Sequence, residues 1–371
     1  MRNHLPILAA LVLGLLAAGP AQAQSKDIII ATASPLTGTC AQDGTAIKNG
    51  ALLAADLVNR RGGINGRKIK VISEDDRSDP KDAAAVANKL TNNKEVVAVL
   101  GHYNSSCTLA GAPIYNRAKV LELSPGSSAP AVSKAGPFTA RVILTDAAQG
   151  DFDAKWMVKD KGHKRIALMY ENDDYGVGLK DVMVARIPAY GGEVVAAESY
   201  YMGETKDFNP SITKIRALNP DAVFICGLYN EAALIAKQSA DVGWKPAFFG
   251  TDGIYSPALI ALGGPAVEGV RFSGVFCADD PASHVQSYVK EFKAKFNTEA
   301  GTFDALGFDA MNWVLAAIEK AGPSRAAVQA QLRTLKVQGV TGMNAFDEHG
   351  DVKKDPLKLM VRNGKIVPAI D

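Results

Sequence analysis

The sequence lacks the short motifs that mark the commoner enzyme families. No G-x-S-x-G elbow, H-E-x-x-H pair, G-x-x-x-x-G-K-[ST] loop or complete G-x-G-x-x-G occurs. Tyr175-Gly-Val-Gly-Leu-Lys-Asp181 carries two of the three dinucleotide glycines without the third, and reads as the entry to a helix. The five histidines (His4, His102, His163, His284 and His349) are scattered, with no two at metal-ligand spacing, so neither a metal nor a cofactor is expected. The acidic pairs Asp75-Asp76 and Asp173-Asp174 read as solvated loop residues rather than acid/base catalysts. Net charge is nearly absent too. With 41 basic and 39 acidic residues, nothing argues for nucleic acid or an anionic membrane surface as a partner. Cysteine is scarce. Cys40, Cys107, Cys226 and Cys277 include no C-x-x-C, so a zinc ribbon or a thioredoxin-type redox pair has no support, and core size must supply most of the stability. The one long apolar run, Leu5 to Gly19, follows the basic Met1-Arg-Asn-His4 and precedes Ala21-Gln-Ala23. It is shorter than the roughly 20 residues that span a bilayer. These parts make a secretory signal peptide over residues 1–23, with the mature chain expected to start at Gln24. In an oxidising compartment the even cysteine count permits two disulfides.

What the chain does have is regular alternation. At 371 residues it exceeds the size of most single cores, so two domains are expected. Apolar, β-branched runs at 26–33, 68–72, 95–100 and 120–123 read as strands, with helical spacing at 45–60, 81–91 and 109–119 between them. Asp79 stands where it would cap the second of these helices. A second series begins near Asp146, with strands at 165–169, 193–199, 222–225, 247–249 and 270–274 separated by helices. The last third turns helical at 284–296, 304–321 and 324–335, and closes on short strands at 357–361 and 365–367. Alternating β and α elements with apolar strands give parallel sheets covered on both faces, and two such series give two doubly wound lobes. Ligands of such sheets lie beyond the carboxyl ends of the strands.

The loops after the strands are rich in neutral donors. Gly101-His-Tyr-Asn-Ser-Ser-Cys-Thr108 joins a strand to a helix, and Ser127 and Ser128 follow the next strand. Serines and unpaired N–H groups at a helix start can hold an anion, or Ser105 and Ser106 can simply cap the helix. In the second series the loops carry Tyr170 to Tyr175, then Gly227-Leu-Tyr-Asn230, then Gly250-Thr-Asp-Gly253. Tyr175 and Tyr229 can wall a cleft or be ordinary packed aromatics. Asp252 can meet a cation or be a turn residue before Gly253.

The order of motifs along the mature chain resembles the leucine/isoleucine/valine-binding proteins, the periplasmic substrate-binding subunits of branched-chain amino-acid ABC transporters. The resemblance rests on Asp75-Asp76…Asp79-Pro-Lys81, Ala85-Val-Ala-Asn-Lys89, Gly101-His102…Ser105-Ser106 and Ser124-Pro-Gly126. It continues through Asp146…Gln149-Gly150, Tyr175-Gly176, Lys206-Asp-Phe208 and Phe346-Asp347…Gly350-Asp351. It implies a type I periplasmic-binding fold: two α/β lobes, 24–146 plus 277–349 and 147–276 plus 350–371, joined by three crossovers. It implies a protein that is not an enzyme, resides in the periplasm as a monomer, closes on an amino acid and delivers it to a membrane permease. The alternative is a sensory module of the same fold for an amide or aromatic acid. By position, Ser105 and Ser128, with the backbone around Ser105 and Gly126, would hold the ligand carboxylate, and Tyr103 and Ser127 are expected among the ligand-binding residues. Asp252 would hold its ammonium, and Tyr175 and Tyr229 would line the second lobe. Three departures are noted. Asp43 replaces a bulky aromatic of the leucine-type proteins, and would meet a polar or basic side chain or face solvent. The family's disulfide positions hold Ser78 and Asn104. Cysteines stand instead at Cys40 and Cys107, in loops that the fold makes neighbours, so a Cys40–Cys107 bridge is expected, with Cys226 and Cys277 left open as free or paired.

Overall fold

Uninterrupted apolar runs ending in serine or glycine form strands hidden on both faces. β1 (Ile28–Ser34) is buried at all seven positions and β3 (Val96–Gly101) at all six, the mark of parallel strands with helices on either side. The structure, a computed structural model, describes residues 26–347 and 350–369. The signal peptide read at 1–23 lies outside the described residues.

The first sheet adds β2 (Ile69–Asp75), β4 (Leu121–Ser124) and β5 (Thr139–Arg141) in the parallel order β2-β1-β3-β4-β5. Its crossover helices are α1 (Ala41–Arg60), α2 (Pro80–Asn92) and α3 (Ser105–Ala118). After α4 (Asp146–Lys155) the second sheet builds the same order from β6 (Arg165–Glu171), β7 (Glu193–Tyr200), β8 (Ala222–Cys226), β9 (Ala247–Gly250) and β10 (Arg271–Gly274). They are joined through α5 (Asp174–Ala189), α6 (Asn209–Ala217), α7 (Tyr229–Asp241) and α8 (Pro257–Gly263). The chain then returns to the first sheet with α9 (Ser283–Phe296), α10 (Thr302–Ala321) and α11 (Arg325–Leu332), which pack on α1, β3 and β4. A hairpin of β11 (Val337–Gly339) and β12 (Gly342–Asn344) follows. β13 (Leu357–Arg362) and β14 (Lys365–Pro368) finish the second sheet antiparallel, on β10. In both sheets the strand order reverses beside the first-entered strand, between β1 and β3 and between β6 and β8, which is where ligands of such sheets bind.

Local chemistry sets the helix starts. Asp79 accepts the Lys81 and Asp82 N–H groups at 2.7 and 3.1 Å, with Pro80 at the first helical position, as its place in the sequence indicates. α1 starts at Ala41 rather than at Thr45. Gly44, which reads as a loop glycine, is there for a close approach: a Cβ on it would fall 1.8 Å from the Pro35 carbonyl oxygen. The same device joins the late helices to the early ones. A Cβ on Gly50 would fall 1.9 Å from the Asp304 oxygen, and one on Gly307 would fall 2.3 Å from the Ile47 oxygen, so α1 and α10 cross backbone against backbone.

That earlier start of α1 overturns the expected Cys40–Cys107 bridge. All four cysteines are free and buried. Cys40 is the N-cap residue of α1, and its sulfur is directed at Met202 Sδ, 3.4 Å away beyond the second sheet's β7, with the Asn104 amide at 4.0 Å. Cys107 is held in the first turn of α3. Burial pushes both thiols up, which keeps them protonated and unreactive. Cys226 and Cys277 are likewise free.

Candidate functional site

The loops beyond the carboxyl ends of the two sheets close on one chamber. Ser105, Gly126 and Ser128 line it from the first sheet, and Tyr175, Leu228 and Asp252 from the second, while Tyr103 and Phe303 make a side wall. The two rings meet edge to face, with centroids 4.9 Å apart. The free space is about 20 Å³, room for about one water, so the lobes stand closed. Polar contacts bridge the loops from either side: Gln42 Nε2 donates to Ser256 Oγ at 3.0 Å, Asn230 Nδ2 to the Thr39 carbonyl at 3.1 Å, and the Asp174 N–H to Ser106 Oγ at 3.4 Å.

On the first side the groups are neutral. Ser105 opens α3, but the N-cap is Asn104 and no side chain caps the helix, so Ser105 is not spent on capping. Its oxygen accepts the Ala129 N–H at 3.2 Å, which ties the start of α3 to the loop after β4. Ser128 faces the chamber, whereas Ser127 turns inward. It shares a proton with Thr108 Oγ1 at 2.7 Å and donates to the Tyr103 carbonyl at 3.0 Å, so it supports the loop rather than lining the site. A Cβ on Gly126 would meet Tyr103 Cδ2 at 2.6 Å, so only glycine lets these loops touch. Behind them lies Arg141, 1% exposed. Its guanidinium donates to the Ser127 and Ala129 carbonyls at 3.1 and 3.0 Å, and its Nε lies 3.1 Å from Asp351 Oδ1.

The second side is acidic. Asp252 is 2% exposed, and its Oδ2 has no hydrogen-bond partner among the described residues. Burial pushes its carboxyl up to about 7, against the pull of Gln149, Gly253 and Thr251. Asp146, at the first turn of α4, is fully buried, and neither of its oxygens has a partner at hydrogen-bond geometry among the described residues. Burial lifts it to about 8; the nearby Ser128 hydroxyl opposes that, while Asp252 adds to it. Tyr175 shares a hydrogen bond with Thr251 Oγ1 at 2.8 Å, which fixes its ring in the wall. Tyr229 is buried at the first position of α7 but does not line the chamber; its neighbour Leu228 does. Asp43, in the first turn of α1, lies behind Tyr103, whose hydroxyl donates to it at 2.7 Å. Burial raises Asp43 to about 7.

The structure thus brings together Ser105, Gly126, Ser128, Tyr103, Tyr175 and Asp252. It sets Ser127, Tyr229 and Asp43 just outside. Sequence reasoning missed Asn104, Leu228, Gly253 and Phe303 as lining residues, and the buried Asp146 that stands behind Ser128 and Asp252. An aspartate opening a helix carries the ordinary signature of a dipole partner, so nothing local marked Asp146 as different. Among the described residues no cluster of His, Cys, Asp or Glu is arranged to hold a metal, and no helix is long and apolar enough to cross a membrane. Neutral donors facing the buried Asp252 carboxylate across a small chamber complement a molecule with one anionic and one cationic end.

Comparison with known proteins points the same way. The family profile described as periplasmic binding protein matches residues 27–361. An amino acid binding protein of Pseudomonas aeruginosa is 34% identical over 88% of both chains. The leucine-, isoleucine-, valine-, threonine- and alanine-binding protein of the same organism is 32% identical over 88% of this chain and 87% of its own. The crystal structure of a leucine binding protein from Thermotoga maritima superposes with a TM-score of 0.87 at 30% identity, over 92% of this chain and 98% of that one. A branched-chain amino acid transporter substrate binding protein from Streptococcus pneumoniae, in complex with isoleucine, gives a TM-score of 0.86 at 27% identity, over 92% and 97%. The chain belongs to the periplasmic binding protein family, in its branched-chain amino-acid-binding branch, a family of solute-binding proteins and not of enzymes.

Proposed function

We propose that this protein captures an amino acid between its lobes and delivers it to the membrane permease of an ABC transporter. The observation that carries the reading is the opposition across the chamber: Ser105, Ser128 and the backbone at Gly126 on one side, the buried Asp252 on the other. The ligand carboxylate would take the serine hydroxyls and the N–H groups at the start of α3, where the helix dipole favours an anion. Its ammonium would sit against Asp252, with Asp146 as a second acid close by. A zwitterion satisfies both sides at once, and a plain carboxylic acid would leave Asp252 buried and unpaired. Opening and closing require lobes that move as bodies, which we take as 24–146 with 277–349 and 147–276 with 350–371. The cargo of the Pseudomonas and Streptococcus relatives supports an amino acid as the ligand. We further propose export by cleavage after Ala23, residence in the periplasm, and a monomer.

A thermal-shift screen of ligand-stripped protein tests this directly, because a ligand that binds only the folded state raises its melting temperature. Stabilisation by one or more common amino acids supports the proposal. A response confined to acids without an amino group would overturn it.

A further inference from the structure

Beside the chamber lies a second cavity of about 400 Å³. Phe303 lines both spaces, and Tyr103 lines the first while its hydroxyl bonds to Asp43 in the second, so this aromatic pair is the partition between them. Like the chamber, the cavity is built by both lobes: Asp43 and Asp304 come from the α1–α10 side, Tyr255 and Ser256 from the loop after β9, and the Gln42–Ser256 hydrogen bond crosses between them. It therefore takes its present shape only when the lobes are closed.

Its lining is acidic and contains no lysine, arginine or histidine among the described residues. Asp43 is 3% exposed and is bonded by a neutral phenol. Asp304 is 8% exposed and, among the described residues, accepts only the Gly301 N–H, at 2.8 Å, within the start of its own helix. Independently of these acids, Thr302 lines the same cavity, 1% exposed, with a hydroxyl that has no hydrogen-bond partner among the described residues. Buried carboxylates without a cation, beside an unpaired hydroxyl, are costly unless something with donors and positive charge joins them.

We propose that this cavity receives the side chain of the bound amino acid and that this side chain is cationic, as in lysine, ornithine or arginine. The proposal rests on the amino-acid reading above and adds the ligand class. The zwitterionic end would take the chamber once it widens beyond the roughly 20 Å³ it has here, the methylene stem would part the Tyr103 and Phe303 rings, and the charged head would reach Asp43 and the Thr302 hydroxyl. Rings flanking a stem and acids at its end are the ordinary way to hold a long basic side chain.

Isothermal titration of the full mature protein with arginine, lysine, ornithine, leucine and alanine tests this. The cationic amino acids should bind at least about tenfold more tightly than leucine, and Asp43→Asn should cut their affinity by roughly 10- to 100-fold, narrowing the gap to leucine. Leucine or alanine binding while the basic amino acids do not would overturn the inference and leave the amino-acid reading intact. No binding by any amino acid would take both down. The ranking in the wild-type protein needs no variant, so a poorly folded Asp43→Asn would not shelter the proposal.

Discussion

The two sides of the chamber solve opposite problems. The first sheet presents hydroxyls and helix N–H groups, which cost little to keep dry because most already have partners inside the protein. The second presents Asp252, beside the buried Asp146, and both are held against their preference for water. An anion site can be assembled from neutral dipoles fixed by the fold. A cation site has no such option, because nothing neutral in a helix start attracts an ammonium. The acidic side therefore carries the stored cost of the closed state, and the neutral side carries the precision.

Charge removal on the acidic side should break this contrast most sharply. Asp252→Asn should weaken amino-acid binding by about 2–5 kcal/mol, since it strands the ligand's ammonium. The same change should raise the stability of the ligand-free protein by on the order of 1–3 kcal/mol near neutral pH, because it deletes a buried charge. Titration calorimetry and denaturant unfolding would read the two signs separately, and a loss in both would place Asp252 in a structural role.

The pH dependence comes next. Asp43, Asp146, Asp252 and Asp304 all have folded pKa values raised to about 7 or 8 by burial. A carboxyl raised on folding contributes stability that is present below its unfolded value and is lost as the pH rises through its folded value. The ligand-free melting temperature should therefore fall between about pH 5 and 8, and a saturating amino acid should flatten that slope. A melting curve independent of pH would contradict the burial of these acids.

On the neutral side the effects should be smaller. Ser128→Ala should cost about 1–2 kcal/mol of affinity through one lost donor, with little change in unfolding. Ser127→Ala, whose hydroxyl points into the loop, should do the reverse: about 1 kcal/mol of stability and only a slight loss of affinity. Equal effects of both on binding would dissolve the distinction drawn between them. Smallest of all, reducing agent should leave the melting temperature unchanged. The four thiols should be silent to a thiol reagent until the protein unfolds.

Much of this was legible in the residues. The strands announced themselves because a strand buried on both faces must be apolar throughout, as in Ile28-Ile-Ile-Ala31 and Val96-Val-Ala-Val-Leu100. Capping chemistry fixed α2 at Asp79. The post-strand serines were found because parallel sheets put their ligands there. What escaped had meanings set by partners distant in the chain. Gly44 reads as a loop glycine because its reason, the Pro35 carbonyl, is a tertiary contact, and with it went the start of α1 and the direction of Cys40. Ser127 and Ser128 are adjacent and alike in sequence, and only the packing against Thr108 tells the supporting one from the lining one. Phe303 comes from a helix far along the chain that returns to the first sheet, and no local pattern states that return.

The crossing of α1 over α10 at Gly50 and Gly307 also bears on how the chain folds. The first sheet ends at Arg141, yet the face that α1 covers over β1 and β2 stays bare over β3 and β4 until α10 and α11 arrive. Contacts separated by so much chain must first meet the entropy of closing a long loop, and topologies dominated by such contacts fold slowly. The early lobe is thus finished by the last third of the polypeptide, and a chain cut short before α10 would leave a half-covered sheet rather than an independent domain.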